Sequence, residues 1–222
     1  MSADRREFLA ELVGLIPAVF GLAPIAAAET PRAVRRLKLV ALGDSLTAGY
    51  LLPPNAGFTA VLERALQQHG YDVTIVNAGV SGDTAAGGLA RLEWALGEGA
   101  DGVILELGAN DMLRGIDPGV TRRSLEAIME RLTANKIKVL IAGMLASPSL
   151  GAEYKHAFDR IYPELATKYE ALLYPFFLQG IATDRSLTLA DGLHPNAAGV
   201  AKIVAGILPS VENLLHTIAS VP

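Results

Sequence analysis

The chain contains no cysteine. Disulfides, thiolate nucleophiles and cysteine-ligated zinc are excluded together, and the redox compartment is left open. Aromatic residues are scarce at 6%, with a single tryptophan, Trp94. Lysine and arginine form no long run and the net charge is a mild -4, so the basic footprint of a nucleic-acid partner is missing. Also missing are a phosphate loop, a His-Glu-x-x-His helix and a Gly-x-Ser-x-Gly elbow. No internal repeat or low-complexity stretch occurs. What remains is 222 residues, about half of them apolar, which suits one compact domain with its own core.

The first 28 residues read as a targeting segment. Arg5 and Arg6 precede an apolar run from Leu12 to Ala28 that ends in Ala26-Ala27-Ala28, a small-residue cleavage pattern. Asp4-Arg5-Arg6-Glu7-Phe8-Leu9 resembles the twin-arginine export signal, although Glu11 lies close to the apolar run and no lysine follows Leu9. A general secretory signal, an uncleaved anchor and a cytosolic amphipathic arm are the alternatives. Pro17 and Pro24 interrupt the segment, which falls short of the roughly 20 apolar residues of a comfortable span. The expected organisation is an export signal over 1–28, a connector over 29–36 and one domain over 37–222, placing the mature protein in the periplasm or outside the cell.

Beyond the connector, strand and helix patterns alternate. Strands are expected at 37–42, 73–76, 103–107 and 137–142, with a short fifth near 172–174. Helices are expected at 58–68 with Gly70 as a stop, 84–96 capped by Asp83, 117–134 from an Asp-Pro start, 152–169, and 195–218, where Pro209 should kink or break the chain. This order implies a parallel sheet with right-handed crossovers and helices on both faces.

Such sheets bind ligands beyond the carboxyl ends of their strands. Three of those ends carry small or polar residues: Ser45, Gly79 and Asn110. Near the other terminus, Asp191 and His194 supply an acid and an imidazole three residues apart. Together they suit acyl transfer, with Ser45 as nucleophile, His194 as general base and Asp191 as its orienter. The Ser45 and Gly79 N–H groups and the Asn110 side-chain amide would serve as oxyanion donors. Taken singly, each has a plainer reading: Ser45 as an N-cap, Gly79 as a turn residue, Asn110 as a cap, and Asp191 with His194 as a helix-start motif. His69, His156 and His216 read as surface or structural, and Asp44 as structural. Trp94 and the phenylalanines read as core or groove lining.

Gly43-Asp44-Ser45-Leu46, Gly79, Gly108-Ala109-Asn110-Asp111 and Asp191-Gly192-Leu193-His194 resemble the four sequence blocks of the GDSL, or SGNH, hydrolases. The resemblance runs from about Leu39 to Leu214. It is nearest to the bacterial periplasmic multifunctional thioesterase, lysophospholipase and arylesterase group, through Gly43–Tyr50, Asn77–Arg91, Tyr162–Tyr169 and Pro175-Phe176-Phe177. It implies a three-layer α/β/α flavodoxin-like fold with about five parallel strands, no cofactor and no metal. It also implies a Ser45–Asp191–His194 triad with Ser45, Gly79 and Asn110 as the oxyanion hole. The implied partner is a small acyl ester, thioester or lysophospholipid, with no nucleic acid, no stable membrane insertion once the signal is removed, and a monomer or weak homo-oligomer. Met144–Ser149 departs from the family's usual basic, proline- and asparagine-containing loop, which puts chain-length preference in question. A carbohydrate O-acetyl esterase and a non-catalytic lipid- or carbohydrate-binding protein are the competing readings.

Overall fold

A computed structural model describes residues 35–220, so the proposed signal and most of the connector lie outside the described residues. The elements in chain order are β1 (Leu37–Gly43), α1 (Ser45–Ala48), α2 (Phe58–Gln68), β2 (Val73–Gly79), α3 (Ala85–Ala90), α4 (Leu92–Leu96), β3 (Gly102–Glu106), α5 (Ala109–Leu113), α6 (Pro118–Ala134), β4 (Lys138–Ala142), α7 (Ala152–Asp159), α8 (Ile161–Lys168), β5 (Leu172–Tyr174) and α9 (Ala197–Ala219).

The five strands form one parallel sheet in the order β2-β1-β3-β4-β5. This is the doubly wound, flavodoxin-like order, whose switch point falls between β1 and β3. The central strands are apolar because helices cover both faces: Leu39 to Leu42, Val103, Ile104, Leu140 and Ile141 are all buried. α2 and α9 pack on each other in one layer, while α6 packs with α3, α7 and α8 in the other. Gly43 is in register with Gly79 on one side and Glu106 on the other, so three strand ends finish level. A Cβ on Gly43 would lie 2.0 Å from Thr47 Oγ1 and 2.7 Å from Glu106 Oε2, so only glycine fits where the chain turns into α1.

The structure departs from the sequence expectations in five places. β2 runs three residues further, to Gly79. The helix expected over 84–96 is two, divided at Arg91, and its cap is Thr84, whose Oγ1 accepts from Gly87 N, while Asp83 pairs with Arg91 instead. The helix expected over 152–169 also divides, at Arg160, because Pro163 has no N–H for the Asp159 carbonyl and its ring crowds that oxygen. Conversely, α9 passes through Pro209 unbroken. That proline sits on the exposed face, where water can satisfy the carbonyl its missing N–H leaves free. Phe58, Phe158 and Phe177 are core as expected, whereas Trp94 is 75% exposed and belongs to neither core nor groove.

Candidate active site

β1 delivers the chain to Asp44, whose Oδ1 accepts from Leu46 N at 2.9 Å and caps the four-residue helix α1. Ser45 is therefore the first residue of a tight strand-to-helix turn at the sheet's carboxyl edge, and its own N–H makes no hydrogen bond among the described residues. The remaining groups come from the 22-residue connection between β5 and α9. That connection folds on itself through a Thr188–Pro195 bridge, a Leu189 N to His194 O bond of 2.8 Å and a turn in which Gly192 N donates to Leu189 O. Asn196 pins the base of this hairpin by donating to the Ser186 and Thr188 carbonyls while capping α9 through Gly199 N.

The hairpin presents Asp191 and His194 side by side. Asp191 Oδ1 accepts from the backbone N–H groups of Leu193 and His194 at 2.9 and 3.0 Å, and Oδ2 lies 2.7 Å from His194 Nδ1. His194 Nε2 lies 2.9 Å from Ser45 Oγ. The Leu193 N–H, then the imidazole and the His194 N–H, hold the Asp191 carboxyl down at about 2, so it is charged at neutral pH. Tyr50 packs its ring 4.4 Å from the imidazole, at a 38° tilt. His69 pairs with Glu212 and His216 with Tyr71, both at the surface and away from the site.

Asn110 enters from the first turn of α5 and donates through Nδ2 to Asp44 Oδ2 at 2.9 Å, leaving the amide's second hydrogen free. Gly108, at φ +115°, makes the turn into α5 beneath the Tyr162 hydroxyl, which donates to Leu107 O at 3.0 Å. Gly79 is different. Its N–H is already given to Asn77 Oδ1 at 3.0 Å. In the same loop Gly82, at φ +87°, keeps its N–H unpaired among the described residues. Its carbonyl accepts from Arg114, whose own N–H bonds Asn110 O. The sequence carries two glycines in this loop and no sign of which N–H is free.

Behind the serine Asp44 is paired with a second buried acid, Glu106, that the sequence reading did not single out. Glu106 Oε2 accepts from Thr47 Oγ1 at 2.8 Å and from Asp44 N at 3.4 Å, while Oε1 is buried without a partner among the described residues. Burial, and then the nearby Asp44 carboxylate, push Glu106 well above the usual glutamate range. Burial also raises Asp44, against the opposing pull of the Leu46 N–H and the Asn110 amide. The signal was a glutamate closing an otherwise apolar strand, Gly-Val-Ile-Leu-Glu.

In front of Ser45, Asn110 and His194 opens a cleft of about 730 Å³. Its walls are mostly apolar, including Met112, Leu113, Met144, Leu145, Phe176 and Leu178. The divergent loop 144–149 does wall this cleft, and Lys155 holds it by bonding Ala146 O and Asp159.

A serine, an imidazole and a carboxylate in hydrogen-bonded series beside such a cleft form the constellation of an acyl hydrolase. Residues 41–202 match the model of the GDSL-like Lipase/Acylhydrolase family. The chain belongs to that family. Within it, the chain is 38% identical over 178 residues to "Esterase TesA" of Pseudomonas aeruginosa, covering 80% of this chain and 89% of the relative. It is 41% identical over 159 residues to an arylesterase of Vibrio mimicus, covering 71% and 80%. It is 37% identical over 168 residues to "Thioesterase 1/protease 1/lysophospholipase L1" of Escherichia coli K12, covering 75% and 79%. The crystal structure of TesA superposes with a TM-score of 0.76, covering 80% of this chain and 99% of that one. AlinE4, described as an SGNH-hydrolase family esterase, gives 0.69 at 44% identity, covering 82% and 97%. This acylhydrolase thus has the fold and the family its strand order and sequence blocks led one to expect.

Proposed function

We propose that this acylhydrolase cleaves carboxylic esters and thioesters through a Ser45–His194–Asp191 triad. The observation that carries the reading is the unbroken series from Ser45 Oγ to His194 Nε2 at 2.9 Å and from His194 Nδ1 to Asp191 Oδ2 at 2.7 Å, at the mouth of an apolar cleft. Ser45 Oγ attacks the acyl carbon as its proton passes to His194 Nε2. Asp191 holds the imidazole in the tautomer that can accept this proton and stabilises the imidazolium that forms. The oxyanion is met by the Ser45 N–H and the free hydrogen of Asn110 Nδ2. A third donor comes from the 79–83 loop, and we assign it to Gly82, because the Gly79 N–H is already engaged. His194 then protonates the departing alcohol or thiol, and in the second half it draws a proton from water, which releases the acid and restores Ser45.

The volume and apolar walls of the cleft favour acyl chains of several carbons over acetyl groups on sugars. The relatives named as an arylesterase and as a thioesterase and lysophospholipase support the same substrate range. The purified enzyme and its Ser45→Ala variant, assayed on p-nitrophenyl esters from two to sixteen carbons and on palmitoyl-CoA, test the reading. Turnover is expected from wild type alone, rising beyond the acetyl ester. Equal and negligible rates from both proteins on every substrate would overturn it.

Residues 1–28 fit an export signal, so the mature enzyme is proposed to act in the periplasm or outside the cell. Protein recovered from the periplasmic fraction should begin at Glu29; a retained Met1 would count against cleavage.

A further inference from the structure

We propose that Arg91 is a positioning residue that locks the loop after β2 onto the turn carrying Ser45, and so sets the spacing of the oxyanion donors. The proposal rests on the reading of Ser45 as nucleophile and of the 79–83 loop as donor-bearing.

The guanidinium is largely buried and engages three acceptors on separate segments. Nη2 donates to Gly43 O at 2.8 Å, Nη1 to Ala78 O at 2.8 Å, and Nε to Asp83 Oδ2 at 2.5 Å. Gly43 is two residues before Ser45, Ala78 is the penultimate residue of β2, and Asp83 closes the turn that contains Gly82. Gly43 O also accepts from Val80 N at 3.1 Å, so one carbonyl ties the nucleophile turn both to the loop's backbone and to the arginine. On the far side, Arg114 holds Gly82 O at 2.7 Å. The loop is therefore braced on two sides, and Arg91 supplies the brace that reaches the serine.

Local structure is shaped around this contact. Arg91, at φ -109° and ψ 10°, leaves helical geometry between α3 and α4, so the division that the periodicity of this segment hid occurs at the clamp itself. Two glycines let α3 approach closely enough. A Cβ on Gly87 would lie 2.7 Å from Asp83 Oδ1, and one on Gly88 would lie 2.3 Å from Leu107 Cδ1. Asp83 is as buried as the arginine, with side-chain exposures of 19% and 16%. Lysine cannot replace this arrangement, because its ammonium is a single point whereas the guanidinium presents donors along several fixed directions.

Such a clamp acts on the transition state more than on substrate binding. An oxyanion donor contributes fully only when it is placed for the tetrahedral oxygen, and a misplacement of about 1 Å can cost about 100-fold. The cleft is not lined by Arg91, Asp83 or Ala78.

The test compares wild type with Arg91→Lys, Arg91→Met and Asp83→Asn at a temperature well below each variant's melting point. Four quantities are read: kcat and KM on p-nitrophenyl butyrate, Ki for a straight-chain alkylboronic acid, and Ki for an unreactive alcohol of the same length. In the boronate complex Ser45 Oγ bonds to boron and the serine proton passes to His194, giving a tetrahedral anion that needs the donors; the alcohol needs only the cleft. For the Arg91 variants kcat should fall about 10- to 100-fold with KM little changed. The boronate Ki should rise by a matching factor, and the alcohol Ki should stay constant. Asp83→Asn keeps the guanidinium on both carbonyls, so it should show the same signature at a smaller size, which keeps the test open if an Arg91 variant does not fold. Lowered melting temperatures with kcat and boronate affinity within twofold of wild type would overturn the proposal and leave Arg91 a stabilising residue. If Ser45→Ala turns over like wild type, the failure belongs to the underlying reading and not to the clamp.

Discussion

Replacing Glu106 by glutamine should change how stability depends on pH, and the size of the change follows from the acid pair behind Ser45. Glu106 is 1% exposed and Asp44 is fully buried beside it. Two adjacent buried carboxylates cannot both be charged, so the folded protein keeps a proton on Glu106. In the unfolded chain that proton leaves near the ordinary glutamate value of 4.5. Above that pH, folding must take a proton up from solvent. A folded pKa that is raised for an acid thus lowers stability as pH rises, by about 1.4 kcal/mol per pH unit, for as long as the folded protein retains the proton.

Glutamine keeps an oxygen for Thr47 Oγ1 and Asp44 N but has no such linkage. Its amide would occupy the place of the unpartnered Oε1, at a pH-independent cost of about 1–3 kcal/mol. At neutral pH the two effects oppose each other, so a single stability value would mislead and the slope is the informative quantity. Urea unfolding of wild type and Glu106→Gln at half-unit steps from pH 5.5 to 7.5 provides it. Asp44, raised to about 6 by burial, titrates within this range in both proteins and contributes its own slope to each curve. The variant should gain on wild type as pH rises across that range, by at most about 1.4 kcal/mol per pH unit. Parallel stability curves would refute the reasoning and mean that Glu106 is ionised in the folded state.

Asp191→Asn should leave folding intact and lower kcat by up to about four orders of magnitude, because the imidazole loses the partner that fixes its tautomer; ester hydrolysis at pH 8 measures this, and a near wild-type rate would move the orienting role elsewhere. Asn110→Ala should lower kcat by about 100- to 1000-fold with KM largely kept, as expected for loss of an oxyanion donor; an effect on KM alone would make Asn110 a binding group. Gly43→Ala should cost about 1–3 kcal/mol, or misfold the turn, because its Cβ meets Thr47 Oγ1 and Glu106 Oε2. Thermal unfolding checks this, and an unchanged melting temperature would show that the turn can give way.

Much of this molecule could be read from its residues. The apolar strands 37–42, 103–107 and 137–142 announced a covered parallel sheet, and Ser45, Asn110, Asp191 and His194 stood out as chemistry-bearing residues beside strand ends or a helix start. The structure brings Ser45, Asp191 and His194 into hydrogen-bonded series and sets Asn110 beside them through Asp44. What escaped depends on direction and distance, which residue types do not encode. Whether Gly79 or Gly82 has a free N–H is a matter of which way one peptide faces. The division at Arg91 reflects a side chain drawn back to the sheet, a tertiary pull that local periodicity cannot register. Trp94 was assigned to packing on average behaviour, yet α4 turns it to solvent. Glu106 was visible as an anomaly, but its meaning required knowing that Asp44 would be buried beside it.

The general base and its orienter share one short hairpin, three residues apart, and both backbone bonds that fix Asp191 come from that hairpin. The histidine and aspartate therefore travel as a cassette. Any drift of the 175–196 connection, from heating, insertion or crossover with a relative, leaves their pairing intact and shows up in a single adjustable joint, the gap between His194 Nε2 and Ser45 Oγ. The nucleophile and the acid–base couple, 149 positions apart, thereby meet across one tolerance. Loops on the cleft side can be exchanged to change substrate without retuning the acid–base couple, provided that this one distance is preserved.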